Sequence, residues 1–255
     1  MTILQGETLM RLAIALVIGL AAVPAAAQRA PITKLLDKIP SVFGNGPKQP
    51  AITMPATPVI VGLTRAADRS VAGDPVTFDL GGFRLGMSEA EVSAVIATRK
   101  LTSRGVTRFV DFESQVRSAI NISGGAGGVE TRRSVLGEAT LQDDAGGRYV
   151  LKTLVWPDGA HLSSIVYLAP QGTTVAEWRR MLVEKWGKPR EEQPGDTFAA
   201  RWSRDGSGFR ASANVGPRGG TVEIAPPEGS AQQPGRLIEQ AVDAFIAARA
   251  KKPVL

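Results

Sequence analysis

Hydrophobic and polar residues follow a helical spacing in two separate stretches of this chain. Each stretch begins with Ser or Thr followed three residues later by Glu, at Ser88 and Glu91 and again at Thr174 and Glu177. In such a capping box each side chain satisfies a free backbone amide, so both sites predict helix N-termini. The apolar positions that follow are Val92, Val95 and Ile96 in the first helix and Trp178, Met181, Leu182 and Trp186 in the second. We expect these residues to be buried, and Gly187 to end the second helix.

Stretches rich in β-branched and aromatic residues, separated by Gly-rich or polar turns, predict antiparallel strands. The chain from 77 to 85 is predicted as a strand with a glycine bend. Further strands are predicted over 106–113, 133–141, 149–156, 161–168, 197–203, 208–215 and 220–225. Phe198, Ala200 and Trp202 alternate with other residues, and the same alternation recurs over 209–215. One side of this sheet is therefore expected to pack on the second helix, around Trp178 and Met181.

A helix followed by hairpins occurs twice, and superimposing Ser88 on Thr174 aligns the apolar positions of the two helices. We therefore predict an α+β fold of tandem units, each with one helix packed on an antiparallel sheet, over 76–170 and 171–227. Residues 228–255 are predicted as a linker and a C-terminal amphipathic helix, which either docks on its own sheet or serves as a partner-binding arm. Docking is favoured because an exposed apolar stripe is a liability. Whether the two units share one continuous sheet stays open here.

Residues 1–27 contain the three-part layout of a secretory signal peptide. From Met10, the predicted translation start, a single positive charge at Arg11 precedes an apolar run over 12–23. Pro24 breaks the run, and three alanines provide small residues for cleavage before residue 28. The alternative is a membrane anchor, which would need ~20 apolar residues. We expect export to the bacterial periplasm or the medium, with no transmembrane anchor left after signal cleavage.

Recurrent prolines over 28–75 predict a disordered tether, because each proline fixes its own φ and lacks an amide donor. The chain has no cysteine. Without one it can form neither a lipidated N-terminus nor a disulfide, so core packing alone is expected to hold the folded part. A hydrophobic content of 43% makes such a core possible.

Two short motifs resemble those of known envelope proteins. Leu85-Gly86-Met87-Ser88-Glu89-Ala90-Glu91-Val92 resembles the helix entry of small proteins of the SmpA/OmlA type and is similar to the repeat units of the β-lactamase-inhibitor-protein-like fold. In those families the helix commonly ends in Leu-Gly-x-Pro, which Trp186-Gly187-Lys188-Pro189 resembles. SmpA/OmlA members are typically lipoproteins, whereas this chain has no cysteine to lipidate. The resemblance implies a fold of helix and sheet and a binding role in the envelope, and it implies no catalytic residues.

Candidates for catalysis are few. The one histidine, His161, follows a hairpin turn and is expected at the surface; a serine hydrolase would have to use it with Ser163 or Ser164. With one histidine and no cysteine, a zinc site is not expected. Carboxylates that could pair for glycan cleavage are sequence neighbours, Asp111 with Glu113 and Asp143 with Asp144. We therefore expect no catalytic residue, no metal and no cofactor.

The remaining functional candidate is a sheet face. The strands over 197–203 and 208–215 should expose the residues that alternate with the buried ones, and the predicted ligand or partner face is Arg201, Ser203, Arg210, Ser212 and Asn214. Its chemistry, with a net charge of +6 for the chain, suits an envelope protein or an anionic glycan or lipid surface. Nucleic acid is not expected, because no basic run is interleaved with aromatic residues.

These features predict an exported, non-catalytic binding or envelope-assembly protein that acts through a polar and basic sheet face. The alternative is an envelope hydrolase acting on a glycan or peptide, which requires a concave pocket with two carboxylates or His161 beside a serine. The sequence leaves the ligand or partner and the oligomeric state open.

Overall fold

A computed structural model describes residues 52–56, 71–123 and 133–250. The predicted signal peptide and most of the predicted tether lie outside these residues. The helices are Glu89–Thr98 (α1), Phe112–Ser123 (α2), Val175–Trp186 (α3) and Gln233–Ala250 (α4), with short 3-10 helices at Pro75–Thr77 and Ser230–Gln232. The strands are Asp79–Leu80 (β1), Phe83–Arg84 (β2), Thr102–Val110 (β3), Ser134–Gln142 (β4), Arg148–Trp156 (β5), Gly159–Ala169 (β6), Glu191–Gln193 (β7), Phe198–Ser203 (β8), Arg210–Gly216 (β9) and Gly219–Ala225 (β10).

Eight of the strands form one antiparallel sheet, in the order β3-β4-β5-β6-β10-β9-β8-β7. The join lies in the middle, where β6 and β10 pair from Ile165 opposite Ile224 to Ala169 opposite Gly220. The fold is thus α+β as predicted, and strands from 76–170 and 171–227 share a single sheet. The remaining pair, β1 and β2, forms a separate small hairpin around Gly81.

Both predicted capping boxes are confirmed. The Ser88 hydroxyl accepts the Glu91 amide at 3.3 Å, and the Glu91 carboxylate accepts the Ser88 amide at 2.8 Å. Thr174 and Glu177 make the same exchange at 3.2 and 2.9 Å, which fixes the first turn of α3. Gly187 ends α3 with a φ of 80° and a ψ of −179°, so its φ is positive, as glycine allows, but its conformation is not the left-handed helical one predicted for this position.

One face of the sheet packs against α1, α3 and the β1–β2 hairpin, and it holds the larger core. Phe78 stacks on Trp186 with ring centroids 4.7 Å apart, and Trp202 meets Trp186 edge-on at 5.2 Å. The alternation predicted for β8 and β9 is confirmed, since Phe198, Ala200 and Trp202 are buried together with the alternate residues from 209 to 215. Phe78, directly before the hairpin, therefore forms one contiguous aromatic layer with Trp186 of α3 and Trp202 of β8.

Met181 does not join this core. It is 44% exposed, although the sequence placed it on the buried stripe of α3. Trp178, Leu182 and Trp186 are buried at intervals of four residues, and this narrower stripe is the one that faces the sheet. On α1 only Val92 is fully buried, with the other predicted positions packed at the rim of the core.

A helix replaces the end of the strand predicted over 106–113. β3 ends at Val110, and α2 begins at Phe112 because the Asp111 carboxylate accepts the Ser114 amide at 2.7 Å, as a helix cap does. The buried face of α2 packs against α4, where Ala241, Val242 and Phe245 are buried. The C-terminal helix thus docks on its own fold, as favoured from the sequence, and it spans Gln233–Ala250. None of the described helices combines the length and hydropathy that a bilayer crossing needs.

Candidate binding face

The five predicted face residues lie together on the outer side of the sheet. Arg201 of β8 stands opposite Ser212 of β9, and Ser203 stands opposite Arg210. Asn214 continues the same face one pleat further along β9. Because residues directly opposite each other project to one side of a sheet, all five share the face turned away from α3. This brings side chains of two strands into one surface, and Arg201, Arg210 and Asn214 are exposed.

The same outer face continues across the sheet beyond β8 and β9. The pairing places Ser212 opposite Glu223 of β10, Glu223 opposite Val166 of β6, and Val166 opposite Val150 of β5. On the other side, Arg201 stands opposite Glu191 of β7. Of the residues in this row across the sheet, the sequence pattern predicted only those on β8 and β9.

An apolar strip lies near the middle of the outer face. Val150, Val166 and Leu168 are half-buried, although each projects away from the core face on which α1 and α3 pack. The flanking positions of β5 on this face are charged, Arg148 opposite Leu168 and Lys152 opposite Ser164. The face therefore combines a hydrophobic centre with a charged border.

The border has both signs of charge. The cations are Arg148, Lys152, Arg201 and Arg210, and the carboxylates are Glu138, Glu191 and Glu223. Arg201 lies 3.5 Å from the Glu191 carboxylate, with both side chains about 60% exposed, so this pair adds little to stability. The face predicted from the sequence was basic because that prediction included only residues of β8 and β9. The carboxylates lie on β4, β7 and β10, which the prediction did not place on this face.

His161 is half-buried rather than on the open surface. Its Nδ1 lies 3.0 Å from the Gly86 carbonyl oxygen, its Nε2 lies 3.2 Å from Asp158, and its backbone bridges to Ser88. Ser163 instead donates its hydroxyl to the Lys152 carbonyl at 3.0 Å. The histidine therefore connects β6 to the entry of α1, and within the described residues its ring contacts Gly86 and Asp158 rather than the serine hydroxyl that a hydrolase would require.

The neighbouring carboxylates have separate structural partners. Asp143 accepts the Gly147 amide at 2.7 Å and the Tyr167 hydroxyl at 2.9 Å, which holds the β4–β5 turn against β6. Burial and this carboxylate raise the pKa of Tyr167 above its usual range. Glu113 pairs with Arg117 on α2. Among the described residues no group of three or more possible ligands could hold a metal ion.

A second hydrogen-bonded cluster joins α1 to the β1–β2 hairpin. Arg99 donates to the Gly81 carbonyl at 2.6 Å and to the Tyr149 hydroxyl at 2.9 Å. Burial raises the pKa of Tyr149, and the Arg99 guanidinium only partly offsets that effect. On the other side of the hairpin, Lys185 of α3 donates to Asp79 at 2.6 Å. These contacts hold the hairpin between the two helices and leave the outer face of the sheet free of them.

Comparisons with protein-family models, with curated proteins and with solved structures found no match for this chain.

Proposed function

We propose that this chain is an exported, non-catalytic binding protein that docks a partner protein on the outer face of its sheet. The observation that supports the proposal is the arrangement of Val150, Val166 and Leu168 inside a border of charged residues. Protein interfaces have this anatomy, with an apolar centre that loses its water and a polar rim that stays hydrated.

The mixed charge of the border favours a protein over an anionic glycan or lipid surface. Within the described part of the chain, four cations and three carboxylates lie on this face. A uniformly anionic surface would gain from the cations but would be repelled by Glu191 and Glu223. A folded partner can place an opposite charge against each of them, which provides specificity and orientation.

The size of the face is adequate for a specific complex. Six adjacent strands, each about 4.8 Å wide, with three outward positions that each take up about 7 Å along the strand, cover roughly 29 by 21 Å in projection. Because the side chains protrude, the solvent-accessible area of this face is larger than its projection and approaches the ~800 Å² that each partner buries in a standard interface. Because the sheet supplies a rigid backbone, little conformational entropy is lost when the partner docks.

Export is the second part of the proposal, and residues 10–27 support it. The charged start, the apolar run and the small residues before residue 28 together form a cleavable signal. N-terminal sequencing of the protein recovered from the periplasm should begin at Gln28. Recovery of a cytoplasmic protein with Met1 or Met10 intact would overturn this part.

The docking face is tested by photo-crosslinking in cells. A photoreactive residue at Ser212 should give one adduct of defined mass, and the same residue at the exposed Ala176 on α3 should not. Identification of the partner by mass spectrometry should be followed by a binding assay with the purified pair. Arg201→Glu combined with Arg210→Glu should abolish the adduct and weaken binding at least tenfold.

The matched control reverses two exposed cations on and directly after α3, which packs on the opposite face of the sheet: Arg180→Glu with Lys188→Glu. This variant has the same net charge as the test variant and should retain the adduct. If the adduct survives Arg201→Glu with Arg210→Glu, or forms equally from Ala176, the outer face is not the docking surface.

A further inference from the structure

A cavity of about 470 Å³ lies along α2, on the part of the fold formed by the ends of β3 and β4 and by α4. Its walls include Asp111, Ser114, Asn121 and Arg133, and its apolar lining comes from Ile120 and Phe245. The volume falls within the range of small-molecule sites. None of these residues belongs to the outer face, so an inference from this cavity is independent of the proposed docking function.

Among the described residues that line the cavity, one charge of each sign is available. Asp111 and Arg133 are adjacent because the Asp111 amide donates to the Arg133 carbonyl at 3.1 Å, and both side chains line the cavity. The Arg133 guanidinium has no ion pair within the described residues. Glu113 and Arg117, also at the cavity, neutralise each other at 2.5 Å. The Asp111 carboxylate and the Arg133 guanidinium are therefore the negative and positive groups that can pair with a charged ligand.

Ser114 adds a nearly buried polar group to the wall. Its residue is 8% exposed, and it lies in the wall of the cavity. A serine hydroxyl in a cavity wall can donate a hydrogen bond to an oxygen of the ligand. Its amide is already used by Asp111, so the hydroxyl is the free group of this residue.

The remaining lining is hydrophobic. Ile120 is 8% exposed and Phe245 5% exposed, and both belong to the core between α2 and α4, with Ile52 packed beside them. An apolar group in the cavity would therefore contact a rigid hydrophobic surface. A ligand that fills the site needs an anionic end, a cationic end and an apolar body.

We propose that this cavity binds a small zwitterion with an apolar side chain, an α-amino acid or a short peptide. The ligand carboxylate pairs with the Arg133 guanidinium, the ammonium group pairs with the Asp111 carboxylate, and the apolar side chain lies on Ile120 and Phe245. The Ser114 hydroxyl donates to the same carboxylate. A neutral sugar would leave both charges without counter-ions, and a simple anion would be repelled by Asp111.

Calorimetric titration of the purified protein tests this site with defined probes. L-leucine and L-leucyl-L-alanine should bind. N-acetyl-L-leucine, which lacks the ammonium, and L-leucinamide, which lacks the carboxylate, should each bind at least tenfold more weakly. Maltose serves as the neutral polyol and should give no heat of binding.

Variants separate the two charges. Arg133→Gln and Asp111→Asn should each weaken L-leucine binding at least tenfold, and Asn retains the oxygen that caps α2. Arg218→Gln and Asp144→Asn, in exposed turns, are the matched controls and should bind as the parent does. The proposal is wrong if neither zwitterion binds, if the acetylated and amidated probes bind as tightly as L-leucine, or if maltose binds in preference.

Discussion

The sheet has two halves, β3 to β6 and β7 to β10, that meet where β6 pairs with β10. Replacement of Ile165 by alanine tests whether these two halves unfold as one unit. Ile165 is fully buried on β6, at the join between the halves, opposite Ile224 of β10 and Leu151 of β5. These residues belong to the same core as Trp178 and Trp186 of α3. A cavity at this point therefore removes contacts from both halves at once.

The size of the effect follows from the side chain removed. Loss of three buried carbons costs about 2.4 kcal/mol at about 0.8 kcal/mol per methylene. The residual cavity adds a term of about 24 cal/mol per Å³, which places such substitutions at ~2–5 kcal/mol. With Ile165 packed on both sides by strands, we expect a loss of about 3.5 kcal/mol in the free energy of unfolding, or roughly 7–14 °C in Tm.

Urea unfolding followed by two probes provides the measurement. Tryptophan fluorescence reports mainly on the second half, which contains Trp178, Trp186 and Trp202, whereas far-UV circular dichroism reports on all strands. Both midpoints should move together with an unchanged slope, as in a single cooperative transition. Val106→Ala is the control, because Val106 is 54% exposed on the edge strand and should change the free energy by less than about 0.5 kcal/mol. Two separate transitions, or a fluorescence midpoint unmoved by Ile165→Ala, would refute the reasoning.

Three further substitutions test local features of the fold. An ideal Cβ at Gly137 would lie 2.8 Å from the Phe109 ring, so Gly137→Ala should destabilise the fold by ~1–3 kcal/mol in urea unfolding. Gly105→Ala on the neighbouring strand meets nothing within 4 Å and should leave stability nearly unchanged; equal effects would contradict this packing. Thr174→Ala should cost about 1 kcal/mol through the lost cap of α3. The Thr174 amide and hydroxyl lower the pKa of Glu177, so its contribution is present at neutral pH and is lost as the pH falls through that lowered value. Glu177→Gln should therefore flatten the acid side of a Tm-against-pH profile, and an unchanged profile would show that this carboxylate does not contribute.

Features set by neighbouring residues were predictable from the sequence. The capping boxes at Ser88 and Thr174 each depend on a residue only three positions away, so both helix starts were assigned correctly. The alternation in β8 and β9 is equally local, and it identified which side chains face outward. The five candidate residues of the outer face were found in this way.

Features that depend on distant partners were not predictable in the same way. The residues around Val110 are β-branched and aromatic, which favoured a continued strand, and α2 forms because its apolar stripe packs on α4 at the other end of the chain. The charge of the outer face also differs from the one predicted, because strands distant in sequence lie beside β8 and β9. Glu191 and Glu223 reach it only through the pairing of β7 and β10.

The join between the halves depends on Gly219 and Gly220. The sequence pattern placed Gly219 in a turn and Gly220 at the start of a strand, and it gave neither residue a further role. Gly219 and Gly220 have φ values of 96° and 153°, which side-chain-bearing residues rarely adopt. A Cβ at Gly219 would lie 2.7 Å from the Ala169 carbonyl of β6, and one at Gly220 would lie 2.6 Å from the Val215 Cα of β9. Two adjacent glycines thus let β10 approach both neighbours at the point where the halves meet. Because β6 and β10 hold Val166 opposite Glu223, the same close approach creates the continuous outer face on which the proposed docking depends.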